Sequence, residues 1–405
     1  MRYRLLLIKR FIEDIFIYPF ILLGRRKAAK NPLKEEYDIF FLFPFYHIGG
    51  AEKVHAQIAQ AFTHKKAIIF FTRKSLNDFF FEEFTATGHK LVDISKHTDN
   101  KWQYYNNLIY RGILSYYINT QKRKPVVFNG QCNMGYKLSP WIKKDIAQIE
   151  LIHSLCSFSY IRIPFLPFIT ETVMISKVRI QEHIELYKRY GIPLRYAQRI
   201  HFILNGIKLP EPRRTGKLFD KKELTVLYVG RDTPEKRVHL MAELAKQCTD
   251  ENMPVRFQFL GSVANAIPAE LHQYAHFWGN QSDTKVIDDI YENADILILL
   301  SDTEGFPMVI MEAMARGLII LTTSVGEIPL HVKSFENGFV IEEFKDSTVV
   351  QKQAFEHIKY LELHRNEMQK MSESNINYAY QHYDIRMFNK SYQALVEATA
   401  NKMNQ

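Results

Sequence analysis

The chain has 405 residues, more than one ordinary core accommodates, and this length points to two domains. With 46% hydrophobic and 24% charged residues it sits at globular averages, which argues against disorder, a collagen-like rod or a disulfide-dense secreted scaffold. Cys132, Cys156 and Cys248 form no CxxC pair, so a zinc ribbon or thioredoxin-like site is not expected and a reducing cytosol fits best.

The formal charge of +9 is unevenly placed, because residues 1–36 carry nine basic and four acidic side chains. The remaining chain is near balance and holds no DNA or RNA recognition motif, so no nucleic-acid partner is expected. Within the basic segment, Arg2, Arg4, Lys9, Arg10, Arg25, Arg26 and Lys27 surround and interrupt apolar residues between Leu5 and Leu23. The longest uncharged run, Ile15 to Gly24, has ten residues, half of the roughly 20 a spanning helix requires. Lys9, Arg10, Glu13 and Asp14 also break any signal-peptide apolar region, and no small-residue cleavage site follows. Residues 1–36 are therefore read as a segment lying on the inner membrane surface, peripheral and cytoplasmic, where basic side chains meet anionic lipid and apolar ones enter the headgroup boundary. The alternative is a helix packed on the protein's own first domain. Pro19 is expected to kink either version.

From Tyr37 onward short apolar runs alternate with longer helical patterns. Strands are expected at residues 39–43, 67–71, 125–128 and 149–152 in the first half. In the second half they are expected at 225–229, 256–260, 296–300, 318–321 and 339–341. Most of these runs are apolar at successive positions, as strands covered by helices on both faces require. The fold class is α/β. Asn205-Gly206, Pro210, Pro212, Arg213, Arg214 and Gly216 read as a linker. The expected organisation is a Rossmann-like lobe over 37–210 and a second Rossmann-like lobe over 211–382, with a C-terminal helix at about 383–405; the family resemblance given below implies that the first is the acceptor side, the second binds the nucleotide sugar and the helix packs back on the first. Two doubly wound lobes of this kind bind ligands in a cleft beyond the carboxyl ends of their strands.

After the first strand, Gly49 and Gly50 open a helix, allowing close backbone approach by an anionic group near a helix N-terminus; a plain tight turn is the other reading. After the first strand of the second half, Arg231 and Lys236 stand five residues apart and are placed to clamp a diphosphate, Arg by forked bonds and Lys as a point charge. The stretch ADILILLSDTEGFPMVIMEAMARG reads as a buried strand, a turn and a helix, with Glu304 and Glu312 eight residues apart and Pro307 in the first helical turn. Eight residues along a helix rise only about 12 Å, so the two carboxylates can serve opposite ends of one elongated ligand, Glu312 at a ribose diol and Glu304 at a sugar hydroxyl.

Taken in order, GGAEK at 49–53, IHS at 152–154, NG at 205–206, VGR with EK at 229–236 and SDTEGFPMVIMEAMARG at 301–317 resemble bacterial glycosyltransferases of family 4. The E-x7-E element with its flanking strand and helix is the specific signal. The resemblance implies a GT-B fold and retaining transfer from a nucleotide-diphosphate sugar. It implies that Arg231 and Lys236 hold the diphosphate, Glu312 the ribose and Glu304, with Gly305 and Phe306 beside it, the transferred sugar. Gly49 and Gly50 then lie on the donor's phosphate side and His153 near the sugar's reacting edge. The donor is a substrate, and no cofactor or metal is expected: Asp302-Thr303-Glu304 superficially resembles a metal-holding acidic triplet, but two cations already stabilise the leaving diphosphate. The acceptor is read as a saccharide, its membrane linkage being inferred from the N-terminal segment, for a surface glycan such as capsule, O-antigen or lipopolysaccharide. A noncatalytic scaffold of the same fold and a nucleotide-sugar epimerase are the alternatives. The chain departs from the family's usual GGxPE loop at Gly326, Glu327, Ile328, Pro329 and Leu330, and has Ile319 where a proline is usual.

Overall fold

The computed structural model describes residues 2–211 and 216–403. Pro212, Arg213 and Arg214 of the expected linker lie outside the described residues. The chain forms two compact units, Met1–Leu204 with Arg386–Gln405, and Asn205–Ile385. The sequence places the exchanges after residues 210 and 382. In the structure the outgoing and returning segments are hydrogen-bonded side by side, Ile207 N–H to Tyr383 O at 2.7 Å and Ile385 N–H to Ile207 O at 2.9 Å.

The first unit is built on seven parallel strands, β1 Ile39–Phe43, β2 Ala67–Phe71, β3 Lys90–Asp93, β4 Val126–Gly130, β5 Gln148–Ile152, β6 Glu171–Met174 and β7 Ile200–Phe202, in the order β3-β2-β1-β4-β5-β6-β7. Its central strands are buried at every position, as the successive apolar residues require when helices cover both faces. The second unit holds six parallel strands, β8 Leu224–Val229, β9 Val255–Leu260, β10 Ala275–Gly279, β11 Ile296–Leu299, β12 Ile319–Thr323 and β13 Gly338–Ile341, in the order β10-β9-β8-β11-β12-β13. In both sheets the order reverses beside the first strand, between β1 and β4 and between β8 and β11. The loops leaving β1 and β8 therefore open at topological switch points, the usual ligand position in such sheets.

The basic N-terminal segment is one helix, Arg2–Lys30, whose assignment continues through Pro19. Ile21, Gly24 and Ala28 form a buried face against the helix Tyr104–Asn119, and Tyr3 joins Leu186, Tyr187 and Tyr196 in an apolar cluster. The crossing is tight: a Cβ on Gly24 would lie 2.0 Å from Ile109 O, and one on Gly112 would lie 2.3 Å from Ile21 O. Arg25 fastens the helix further, donating to Ser115 Oγ at 3.3 Å and Trp141 O at 3.1 Å. Packing on the first unit thus uses one face only. Leu5, Ile8, Phe11, Ile12, Ile15 and Phe16, spaced by three and four residues, stay exposed, Phe16 by 75%. Among the described residues no helix is long and apolar enough to cross a membrane.

Candidate active site

In the second unit the loop after β8 carries Arg231, exposed, and a short turn Pro234–Lys236 that brings Lys236 back over the strand ends. Tyr228 supports this loop from β8, its hydroxyl donating to Arg231 O at 2.8 Å. The Lys236 ammonium is ion-paired with the Glu304 carboxylate, which also accepts from Ser301 Oγ at 2.8 Å. Ser301 and Glu304 follow β11, so the two strands flanking the switch point supply opposite charges to one spot. Arg237, in a left-handed conformation at φ 48°, ties the loops together by donating to Leu300 O at 2.7 Å and Phe344 O at 2.8 Å.

Glu304 lies in the turn, not on the helix, which spans Met308–Ala315 with Pro307 as its N-cap. The expectation of an eight-residue helical spacing to Glu312 is corrected accordingly: half the separation is turn, which is why Glu304 reaches Lys236. Glu312 sits on the helix and accepts from the Tyr291 hydroxyl at 3.0 Å, and Tyr291 is fully buried, its phenol pushed far up by burial and then by the Glu312 charge.

The changed loop at 326–330 is part of this frame. Gly326 has φ +60°, and a Cβ there would lie 2.3 Å from both Glu304 O and Gly305 O, so a glycine is needed for the loop to press on the Glu304 turn. Glu327 is fully buried and its N–H donates to Gly305 O at 2.9 Å. Phe306, next in the turn, stacks on His331 with centroids 4.1 Å apart, and Tyr378 and Tyr383 hold that imidazole at 3.0 and 3.1 Å.

In the first unit Gly49 caps the helix Gly50–Ala61 after β1, and a Cβ on Gly50 would meet nothing within 4 Å. His55, one turn further along, is stacked on Phe43 at 4.5 Å, and its Nε2 lies 3.1 Å from Nε2 of His153, which follows β5. Gly130, at the end of β4, leaves the necessary room: a Cβ there would be 2.6 Å from His55 Nε2. Burial pushes His153 down to about 4 and His55 well below its usual value, so both rings are neutral near pH 7 and share one hydrogen between them. Gln131, at φ 54°, accepts from the His153 N–H at 2.9 Å and donates to Ser154 O at 3.3 Å.

The structure therefore joins Lys236 to Glu304 in one unit and sets Gly49, Gly50 and His153 at the strand ends of the other. Sequence reasoning missed Ser301, Tyr291, His55 and Gln131. His55 was readable as the residue one turn beyond the glycine pair, but its partner lies 98 positions away.

Solved structures share the fold. Anabaena HepE in complex with UDP-glucose aligns with a TM-score of 0.69 at 16% identity, over 90% of this chain and 100% of that one. The fold is GT-B. The lipopolysaccharide outer core galactosyltransferase WaaB, in its apo form, aligns with a TM-score of 0.65 at 19% identity, over 89% and 99% of the two chains. Residues 211–378 match the family model described as glycosyl transferases group 1. Among curated relatives, N-acetyl-alpha-D-glucosaminyl L-malate synthase of Bacillus anthracis is 36% identical over 98 residues, 24% of this chain and 25% of its own length. D-inositol 3-phosphate glycosyltransferase of Gordonia bronchialis is 27% identical over 183 residues, 40% of this chain and 39% of its own. These matches span well under half of either relative.

Proposed function

We propose that this GT-B chain is a retaining glycosyltransferase of family 4, moving a sugar from a nucleotide-diphosphate sugar to a membrane-linked saccharide in surface-glycan synthesis. The observation that carries this reading is the Lys236–Glu304 pair at the switch point of the second sheet, with Arg231 on the same loop and Glu312 on the following helix. The match of residues 211–378 to a glycosyltransferase family model, and the UDP-glucose named with HepE, support it.

In this reading Arg231 and Lys236 hold the diphosphate and Glu312 takes the ribose. Glu304, flanked by Gly305 and Phe306, orients the sugar. The acceptor hydroxyl attacks the anomeric carbon from the face that the diphosphate leaves. A new C–O bond forms as the bond to phosphate breaks, and the hydroxyl proton passes to the departing phosphate oxygen. The two cations stabilise the charge that develops there, so the step requires no metal. The exposed face of Arg2–Lys30, flanked by arginines and lysines, holds the enzyme at the cytoplasmic side of the membrane beside its acceptor.

The test is transfer itself. The full chain, given nucleotide sugars and a bacterial lipid extract in EDTA, is expected to release nucleoside diphosphate and yield a product whose anomeric NMR signals keep the donor's configuration. Inversion, or activity abolished by EDTA and restored by Mg²⁺, would count against this mechanism.

A further inference from the structure

A cavity of about 320 Å³ opens at the strand ends of the first unit, beside the glycine pair's loop but formed by other residues. It lies past the end of β2, at Thr72 and Arg73, and past β4, at Asn133 and Lys137, with Lys101 and Tyr104 at the entry of the helix Tyr104–Asn119. Three of its lining side chains are cations and one, Asp99, is an acid, paired with Arg73 at 3.4 Å. Among the described residues neither Lys101 nor Lys137 has a carboxylate partner. Lys137 instead donates to the Tyr104 hydroxyl at 3.0 Å, and the buried Arg111 donates to the same oxygen at 2.8 Å. Burial alone would raise the Tyr104 phenol, but these two cations outweigh it and lower it. Asn133 Oδ1 is buried there with no hydrogen-bond partner.

Two unpaired ammonium groups, backed by a third cation, attract a compact anion. The surroundings point to lipid. Trp102, 97% exposed, and Tyr105, 50% exposed, each follow a lining residue in the chain, Lys101 and Tyr104, and such amphipathic rings favour the headgroup level of a membrane. The helix Tyr104–Asn119, whose first residue lines the cavity, is also the one on which Arg2–Lys30 lies with its apolar face outward.

We propose that this cavity is the acceptor site, taking a lipid-linked saccharide phosphate with its phosphate on Lys101, Lys137 and Arg73. The proposal rests on the reading of the chain as a transferase with a membrane-borne acceptor, and it names the charged group by which that acceptor is held.

Vesicle sedimentation of the full chain tests it, with neutral phosphatidylcholine vesicles, the same vesicles doped with a few mole per cent of a polyprenyl-phosphate saccharide, and phosphatidylglycerol vesicles. Doping is expected to tighten binding at least about tenfold, and the Lys101→Gln/Lys137→Gln double variant to lose that gain while keeping its phosphatidylglycerol binding within about twofold. No gain on doping, a gain retained in the double variant, or an equal loss on phosphatidylglycerol would each overturn the assignment, the last showing a general cationic surface. Nucleotide binding by the second unit is measured separately, so failure here leaves the transferase reading standing.

Discussion

Lys236 and Glu304, 68 positions apart, neutralise each other at the carboxyl edge of the second sheet. In the proposed site an entering diphosphate draws the ammonium from the carboxylate and releases Glu304 toward the sugar. Lys236→Ala and Arg231→Ala are each expected to weaken nucleoside diphosphate binding by about 1.5–3 kcal/mol, the range for charge-assisted bonds. Glu304→Gln removes the competing charge, so nucleotide affinity should hold or rise while turnover falls. Calorimetric titration with the nucleotide and steady-state rates separate the two effects, and an equal loss of nucleotide affinity in Glu304→Gln would show that its role is misassigned.

Tyr291 fixes Glu312 through its buried hydroxyl at 3.0 Å. Tyr291→Phe preserves the packing and deletes only that donor, so nucleotide affinity should drop by roughly tenfold, consistent with one hydrogen bond to a charged group. The melting temperature should change little. Titration with the nucleoside monophosphate, which lacks the outer phosphate, is expected to show the same loss, because the ribose contact is common to both.

Gly24 and Gly112 decide whether the N-terminal helix is part of the first unit. At an exposed helical site Gly→Ala gains about 1 kcal/mol. Here the new Cβ meets backbone at 2.0 or 2.3 Å, so Gly24→Ala and Gly112→Ala should each destabilise by about 1–3 kcal/mol. Phe11→Ser with Phe16→Ser, on the opposite face, should leave the melting temperature unchanged and reduce sedimentation with anionic vesicles. Equal loss of stability in both sets would mean the outer face is also structural.

Acid should loosen the first unit before the second. Burial pushes His153 and His183 down to about 4, from an ordinary value near 6.5. Unfolded imidazoles take up protons near 6.5 and the folded ones do not, so the unfolded state binds more protons between those limits and stability falls with pH. The contribution is complete above 6.5 and lost as pH drops through 4, roughly 2 kcal/mol per histidine at pH 5. Melting curves from pH 7 to pH 5 should show this slope, and His183→Gln should flatten it.

The strands most legible in the sequence were those with helices on both faces. Ile39–Phe43 and Ala67–Phe71 are apolar at every position, and the structure begins and ends them at those residues. Three strands that went unread, Lys90–Asp93, Ile200–Phe202 and Ala275–Gly279, lie at sheet edges, where partial exposure admits lysine, aspartate and histidine and erases the apolar run. Glu171–Met174 was hidden by its polar start, although all four residues are buried. At the site, Arg231, Lys236 and Glu304 were readable because each follows closely on the end of a strand, and Glu312 because it stands eight residues beyond Glu304 on the helix that comes next. Their supports were not: Tyr291 and His55 act through partners fixed only by the fold, and the Gly326 contact with the Glu304 turn exists only once two strands are adjacent. The N-terminal helix carried both signals at once, since a helix with one packed and one exposed apolar face has no apolar periodicity to read.

The account turns on Lys236 as the cation for a nucleoside diphosphate, and a thermal-shift titration of the full chain with UDP, GDP and ADP, repeated on Lys236→Ala, measures it most directly. One diphosphate is expected to raise the melting temperature, in line with the roughly 2.7 kcal/mol that a ligand supplies at a hundred times its dissociation constant, and Lys236→Ala to lose most of that shift. If no nucleotide shifts the wild type, or if Lys236→Ala responds as the wild type does, the diphosphate site is not where the geometry places it.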